Sequence, residues 1–122
     1  MTPRHAGGSP EAYLPLTPAT FHILLSLSGG EHHGYAIMTE VAERTHGGVK
    51  LGPGTLYTAL KRLVDSGVVL EAGERSGRGD DERRRYYRLT PLGRAVARAE
   101  ARRLEEMVRL ARRKRLIGPQ PA

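Results

Sequence analysis

The apolar residues between positions 53 and 66 recur at the period of an α-helix. They occupy positions i, i+4, i+7 and i+8, which form one stripe along a helical surface. These residues are Leu56, Leu60, Leu63 and Val64. A proline suits the first turn of a helix, and a glycine suits the left-handed position just beyond its end. With a proline at position 53 and a glycine at position 67, the pattern predicts a helix over residues 53–66.

The opposite face of this predicted helix carries hydroxyl groups and positive charges. Its members are Thr55, Thr58, Lys61, Arg62 and Asp65, with Tyr57 at the border. A helix that packs by one stripe and presents hydrogen-bonding and cationic side chains on the other is suited to the major groove of DNA. The same pattern is typical of a solvated surface helix, so the helix alone leaves both interpretations open.

Two further helices are predicted before it. Thr17 and the proline that follows are a cap and a first-turn signal for a helix over residues 18–28. A second helix is predicted over residues 34–46, after a turn at residues 31–34. Residues 49–51 are expected to be a short extended segment. Three short helices joined by glycine-containing turns predict a helix-turn-helix core.

A β-hairpin is predicted directly after the third helix. Its strands are residues 68–74 and 84–90, joined by a glycine-rich and charged turn at residues 75–83. In the second strand, Tyr87 and Leu89 fall on one face. Such a hairpin is a candidate wing. It is also typical of a solvated hairpin whose charges prevent edge pairing, but its position after a candidate recognition helix favours phosphate contact.

The last predicted helix is long, over residues 91–116. Apolar residues alternate along it by four and three, a short heptad-like seam. The seam consists of Ala97, Ala101, Leu104, Val108 and Ala111, widened by Met107 and Leu110. A helix of about 25 residues spans about 38 Å, which is too long to be covered by so small a domain. A second copy of the helix is the natural cover, so the seam predicts a homodimer.

Composition favours an anionic partner. The chain has 122 residues, no cysteine and a formal net charge of +7, which fits one domain and excludes disulfides and thiolate metal sites. Basic and acidic residues number five each up to Leu70, and 15 and eight after it. The anion-facing surface is therefore expected to include the second half of the chain. No apolar run is long enough for a membrane span or a signal segment, so a cytoplasmic protein is expected.

These patterns predict a mainly α fold with a small β-hairpin (α+β), arranged as a winged helix-turn-helix with a long C-terminal dimerisation helix. The expected divisions are a flexible N-terminal arm (1–15), the winged domain (16–90), the dimerisation helix (91–117) and a tail (118–122). The arm has Arg4 as its only cation, so a contact with DNA would add little electrostatic affinity.

Four stretches of the chain resemble the PadR family of bacterial transcriptional regulators. They are LTPATFHILLSLS at 16–28, HGYAIMTEV at 33–41, GPGTLYTALKRLVDSGVV at 52–69 and RRYYRLTPLGR at 84–94. The resemblance covers nearly the whole chain except the first 15 residues and the tail. It implies a dimeric winged helix-turn-helix repressor of the short subfamily, with a single C-terminal helix, released from operator DNA by a small molecule or another signal.

The resemblance also implies roles for individual residues. The DNA-facing residues of the third helix would be Thr55, Tyr57, Thr58, Lys61 and Arg62. Tyr35, at the start of the second helix, would lie near a phosphate. The wing would contribute Arg75, Arg78, Arg83 and Arg84. The effector would bind near the dimer interface formed by Ala97, Ala101, Leu104, Met107, Val108 and Ala111.

The chain departs from the family pattern in one respect. Multidrug-binding members of the short group hold flat ligands between tryptophans of the C-terminal helices, whereas this chain has no tryptophan. Its last helix has no aromatic residue at all. The expected effector is therefore smaller or non-planar, or absent.

Two other function classes remain as alternatives. In the first, the winged helix has lost sequence recognition and its basic surface recruits an acidic protein. In the second, histidines make it a metal-responsive regulator, although His32, His33 and His46 show no recognised ligand spacing. No catalytic arrangement and no cofactor motif is found, so an enzyme is not expected.

Overall fold

The structure is a computed structural model that describes residues 9–76 and 83–121. Its helices are α1 (Pro18–Ser28), α2 (Gly34–Arg44), α3 (Pro53–Asp65) and α4 (Pro91–Arg113), and its strands are β1 (His32–His33), β2 (Val69–Ser76) and β3 (Arg83–Leu89). A short 3₁₀ turn, Pro10–Tyr13, precedes α1. The mainly α, α+β winged helix-turn-helix predicted from the sequence is confirmed.

Side chains just before three of the helices fix where those helices begin. Thr17, His33 and Thr90 each accept a hydrogen bond from a backbone N–H in the first turn of α1, α2 and α4. These N–H groups have no partner within the helix, so a side-chain acceptor stabilises the helix start. Proline opens α1, α3 and α4, as the cap-and-proline signals predicted.

The helices end in left-handed turns. After α2, His46 has φ +51° and Gly47 has φ +78°, and the Gly47 N–H donates to the carbonyl of Ala42 over 2.8 Å. This bond closes the end of α2 and satisfies a terminal carbonyl. The sequence predicted that α2 would continue to residue 46. This bond explains why the helix ends at Arg44 instead.

The three strands form one antiparallel sheet in the order β1-β3-β2. β2 and β3 make the hairpin, with Val69 opposite Leu89, and the register shifts between Glu71 and Gly73. Such a β-bulge bends the strand. Gly73, at φ +105°, supplies the backbone conformation that the bend requires.

One sequence prediction about a short segment was wrong. Residues 32 and 33, predicted as part of a turn, form β1 by pairing with the outer edge of β3, where His32 lies opposite Tyr87. Residues 49–51, predicted to be a short extended segment, lead into α3 without pairing as a strand. The hydroxyl of Thr45 accepts the N–H of Val49 over 3.0 Å, and it lies nearer to the carbonyl oxygen of Val41, at 2.8 Å, than to that of Val49, at 3.4 Å. The N–H of Val49 therefore needs no neighbouring strand.

One apolar core joins the helices to the sheet. Its buried members are Ile23, Leu24, Leu27, Ile37, Val41, Leu51, Leu56, Leu60, Val68, Val69, Tyr87 and Val96. The stripe of α3 predicted from the sequence supplies two fully buried leucines and two partly buried residues. Because α3 is held by this stripe, its opposite face is left on the surface.

Residues 9–15 differ from the flexible arm predicted for 1–15. Tyr13 and Leu14 pack against the core, and the Tyr13 hydroxyl donates to the carbonyl of Ser66 over 3.3 Å. The N–H of Leu16 then donates to the buried carboxylate of Glu100 on α4. Apolar side chains and long-range hydrogen bonds hold this segment. The rest of the predicted arm, residues 1–8, lies outside the described residues.

The start of α4 lies directly against the start of β2. A Cβ atom built on Gly93 would lie 1.9 Å from the carbonyl oxygen of Val68, so only glycine fits there. The N–H of Thr90 also donates to that carbonyl over 3.1 Å. Within residues 9–76 and 83–121, no helix is long and apolar enough to cross a membrane.

Candidate nucleic-acid interface

The exposed face of α3 contains the residues that the sequence assigned to DNA. Thr55, Tyr57, Thr58, Lys61 and Arg62 are all exposed. Lys61 lies 3.4 Å from Asp65, a solvent-exposed pair that holds its partners weakly. Arg62 forms no ion pair with any described residue, so its guanidinium is available to a ligand.

The start of α2 meets α3 at a tyrosine. A Cβ atom on Gly34 would lie 2.3 Å from the hydroxyl oxygen of Tyr57, so the ring of Tyr57 crosses the backbone at the point where α2 begins. Tyr35, the next residue, is 63% exposed. The two tyrosines therefore lie beside one another at the junction of α2 and α3.

Arg84 of the wing completes this junction. Its guanidinium carbon lies 5.9 Å from the centre of the Tyr35 ring, within cation–π range. Its Nη1 atom lies 2.9 Å from Nε2 of His33. Burial and the charge of Arg84 lower the pKa of His33, so the imidazole is neutral at pH 7.

Most other wing cations already have acidic partners. Arg75 lies 2.6 Å from a carboxylate oxygen of Glu31 and stacks over the ring of Tyr86 at 4.2 Å. Arg88 contacts the other oxygen of Glu31 at 3.3 Å. The hydrogen bond from Arg75, followed by the charges of both arginines, holds the pKa of Glu31 below its usual range. Arg75 is therefore committed within the protein.

Arg85 is also paired, with Glu74 at 3.4 Å and more distantly with Glu71 at 3.8 Å. Arg84 has no carboxylate partner within the part of the chain that the structure describes. Arg78 lies outside the described residues. Arg83 is the first residue of β3. Four wing arginines were predicted to contact DNA. Among their described side chains, that of Arg84 lies beside the junction of α2 and α3.

Two open clefts flank the exposed face of α3. One, of about 470 Å³, lies between the wing and the start of α2, and it is lined by His33, Gly34, Tyr35, Tyr57, Glu74, Arg84 and Arg85. The other, of about 590 Å³, lies between the starts of α1 and α3, and it is lined mainly by threonines and Arg62. The exposed face of α3 thus lies between two grooves that are open to a ligand.

The predicted dimer seam is partly exposed. Met107, at 55% exposed, Val108 and Leu110 face solvent on the C-terminal half of α4. Ala101 is exposed as well, whereas Ala97, Leu104 and Ala111 are half-buried. By contrast, Val96 and Ala99 in the N-terminal half are buried against the domain. The apolar face of α4 therefore continues beyond the part that its own domain covers.

Two residues of the candidate interface were not predicted from the sequence. The predicted turn at residues 31–34 gave no role to Glu31, which pairs with two wing arginines, or to His33, which caps α2 and contacts Arg84. The signal for His33 was its place immediately before the Gly34-Tyr35 helix start. Among the described residues, no group of three or more histidine and carboxylate side chains could hold a metal ion. The Nε2 atom of His32 lies 2.6 Å from a carboxylate oxygen of Glu40, and its Nδ1 atom lies 2.6 Å from the backbone carbonyl oxygen of Glu31.

Comparisons with known proteins agree with this architecture. The model of the PadR-like family of transcriptional regulators matches residues 23–99. Transcriptional regulator Rv3488 of Mycobacterium tuberculosis is 36% identical over 88 residues, which are 72% of this chain and 77% of that protein. The family model therefore spans the second half of α1 to the first nine residues of α4.

Two solved structures have the same fold. A PadR family regulator from Clostridium difficile superposes with a TM-score of 0.68 at 24% identity, over 80% of this chain and 97% of that one. Bacillus subtilis PadR in complex with operator DNA superposes with a TM-score of 0.53 at 25% identity, over 88% of this chain and 51% of that one. The chain therefore belongs to the PadR-like family of transcriptional regulators.

Proposed function

We propose that this protein is a homodimeric repressor that binds operator DNA through α3. The exposed face of α3, where Arg62 forms no ion pair with any described residue and lies among hydroxyl side chains, is the observation that carries the proposal. Arginine and threonine side chains at such positions can hydrogen-bond base edges in the major groove. The likeness to a PadR protein bound to its operator supports the same use of this face.

Base and phosphate contacts would be divided between the elements. Thr55, Thr58, Lys61 and Arg62 would face the bases, while Tyr57 at the border would contact the backbone. Tyr35 and the wing arginines Arg75, Arg78, Arg83 and Arg84 would contact phosphates. Arg84 is free of carboxylates in the described structure, whereas Arg75 must first leave Glu31, so Arg84 contributes more.

The dimer would be formed by the apolar seam of α4, most of whose exposed residues lie in its C-terminal half. The residues proposed for this interface are Ala97, Ala101, Leu104, Met107, Val108 and Ala111. Burial of the exposed apolar side chains would supply the driving force. Pairing of the α4 helices would hold two copies of α3 about 34 Å apart, one turn of DNA.

Release from DNA would follow from a change in that spacing. A small molecule that binds near the α4 interface would shift the two α3 helices relative to each other. It must bind the free dimer more tightly than the DNA-bound dimer to do so. Because the described part of α4 has no aromatic residue, the ligand would be held by aliphatic contacts and arginines instead of by stacking.

A titration with matched variants tests the DNA-binding part of the proposal. An operator is first selected from random duplexes, and affinities for it and for a scrambled duplex are compared at one salt concentration. A preference of about a thousandfold supports specific recognition. Arg62→Ala should then cost about 1–3 kcal/mol on the operator and much less on scrambled DNA.

The control variant is Arg102→Ala, an exposed arginine on the outer face of α4 that should leave the preference unchanged. Equal loss on both duplexes for Arg62→Ala would make Arg62 a phosphate contact. Equal affinity of the unaltered protein for both duplexes would favour the alternative of a protein-interaction module. A response of the affinity to zinc or a chelator would favour a metal-responsive regulator.

A further inference from the structure

His33, which lines the cleft beside the wing, contacts a hydrogen-bond donor with each of its two ring nitrogens. Its Nδ1 atom lies 3.2 Å from the backbone nitrogen of Ala36, which it caps, and its Nε2 atom lies 2.9 Å from Nη1 of Arg84. A backbone N–H and a guanidinium can only donate.

A neutral imidazole cannot satisfy both contacts. It has one acceptor nitrogen and one N–H donor. In either tautomer, one of the two contacts therefore brings two donors together and forms no hydrogen bond. A protonated ring makes both contacts unfavourable. The first-turn N–H of Ala36 has no other acceptor in its helix, so the tautomer that caps α2 directs the Nε2–H of His33 toward Arg84.

In this tautomer, the contact between Arg84 and His33 joins two donors and supplies neither of them with an acceptor. Arg84 has no carboxylate partner within residues 9–76 and 83–121. The one acidic residue lining the cleft, Glu74, is paired with Arg85, so one guanidinium charge remains uncompensated among the described lining residues. An anionic oxygen bound by Arg84 and the Nε2–H of His33 would replace the donor–donor contact with two charge-assisted or polar hydrogen bonds.

We propose that this cleft is a binding site for a phosphate-type oxyanion, held by Arg84 and the Nε2–H of His33, with Tyr35 and Tyr57 as its walls. The inference deepens the proposed function and rests on it in one respect, namely that a DNA backbone phosphate would be the occupant in the operator complex. A free phosphate group has the same chemistry. The volume of the cleft, about 470 Å³, accommodates either.

The test is an NMR titration of the full chain with inorganic phosphate, at ionic strength held constant with chloride. The imidazole nitrogens of His33 and the amide of Ala36 should show saturable shifts, and the pKa of His33 should rise when phosphate is bound. Arg84→Gln should abolish the shifts and Arg84→Lys should retain part of them. Arg88→Gln, four residues along the same strand, is the matched control and should retain them fully.

The occupant is identified by repeating the titration on the protein saturated with its selected operator. Loss of the phosphate-induced shifts would show that a DNA phosphate occupies the cleft, and their persistence would show a site for a free anion. Absence of saturable shifts, or equal shifts in Arg84→Gln, would overturn the inference even if operator binding is specific. Phosphate binding without any operator preference would leave this site standing while the proposed function fails.

Discussion

Glu31 controls how much positive charge the wing can offer to DNA. Its two carboxylate oxygens hold Arg75 and Arg88, at 2.6 Å and 3.3 Å. Because these contacts lower the pKa of Glu31, the carboxylate stays ionised at neutral pH and keeps both arginines occupied. The candidate DNA surface is therefore less basic than the number of its arginines indicates.

Removing the charge of Glu31 should therefore strengthen DNA binding. Glu31→Gln frees Arg75 and Arg88 for phosphates, and we expect about a two- to fivefold gain in affinity, the range of one exposed ion pair. The gain should appear on operator and scrambled DNA alike, with a steeper salt dependence. Glu105→Gln on α4 changes the net charge equally, and an equal gain for that variant would assign the effect to net charge alone.

A second carboxylate, Glu100, ties the N-terminal segment to α4. It is 1% exposed, accepts the N–H of Leu16 at 3.0 Å and pairs with Arg103 at 2.5 Å. The hydrogen bond from Arg103, aided by that from Leu16, lowers its pKa despite the opposing effect of burial. Its contribution to the free energy of unfolding is present above the pKa of the unfolded chain and is lost as the pH falls through the folded pKa.

Glu100→Gln should lower the free energy of unfolding by about 1–3 kcal/mol at pH 7, because the amide leaves Arg103 without its charge partner. The difference from the unaltered protein should begin to shrink as the pH falls below about 4, the ordinary pKa range of a glutamate in the unfolded chain, and should be lost as the pH falls through the lowered pKa of the folded state. Urea denaturation at both pH values measures it. A difference that does not change with pH would show that packing, and not charge, is what the variant loses.

At the scale of elements, the junction of β2 and α4 sets the direction in which α4 leaves the winged domain. Gly93 lies against the backbone carbonyl of Val68, and the hydroxyl of Thr90 donates to the carbonyl of Gly67 over 2.5 Å. Backbone groups cannot move aside as a flexible side chain does. Gly93 therefore has a steric role here.

Gly93→Ala should lower the free energy of unfolding by about 1–3 kcal/mol or more, since the new methyl group would overlap a backbone oxygen. Gly54→Ala is the matched control, because Gly54 lies in the first turn of α3 with nothing within 4 Å of a Cβ atom. That control should raise the free energy of unfolding by up to about 1 kcal/mol. Equal effects in urea denaturation would contradict the close approach.

The elements that the sequence predicted well are those whose signals are local. Caps such as Thr17 and Thr90 and the stripe of α3 act within a few residues, and they placed the helices to within a few positions. β1 could not be predicted, since two histidines become a strand only because the edge of β3 is free to pair with them. The partners of Arg75 and Arg84 could not be predicted for the same reason, because Glu31 and His33 are distant from these arginines in the sequence.

At the scale of the whole molecule, the positive charge is not concentrated on the candidate DNA surface. Arg94, Arg98 and Arg102 are exposed on α4 and form no ion pairs among the described residues, whereas most described wing arginines are paired. Each copy also carries a formal net charge of +7, so two copies repel one another. Dimer formation should therefore strengthen with salt over the range in which DNA binding weakens.

The proposed dimer would depend on the apolar seam of α4. Leu104→Glu should yield monomers by light scattering and reduce operator affinity, because a buried unpaired carboxylate opposes association. Met107→Glu should do the same, and since Met107 is 55% exposed the isolated copy should fold normally. Arg102→Glu, on the opposite face of the helix, introduces the same residue and should remain dimeric. If Met107→Glu also remains dimeric, the copies associate through a different surface and the spacing of the two α3 helices is not set by this seam.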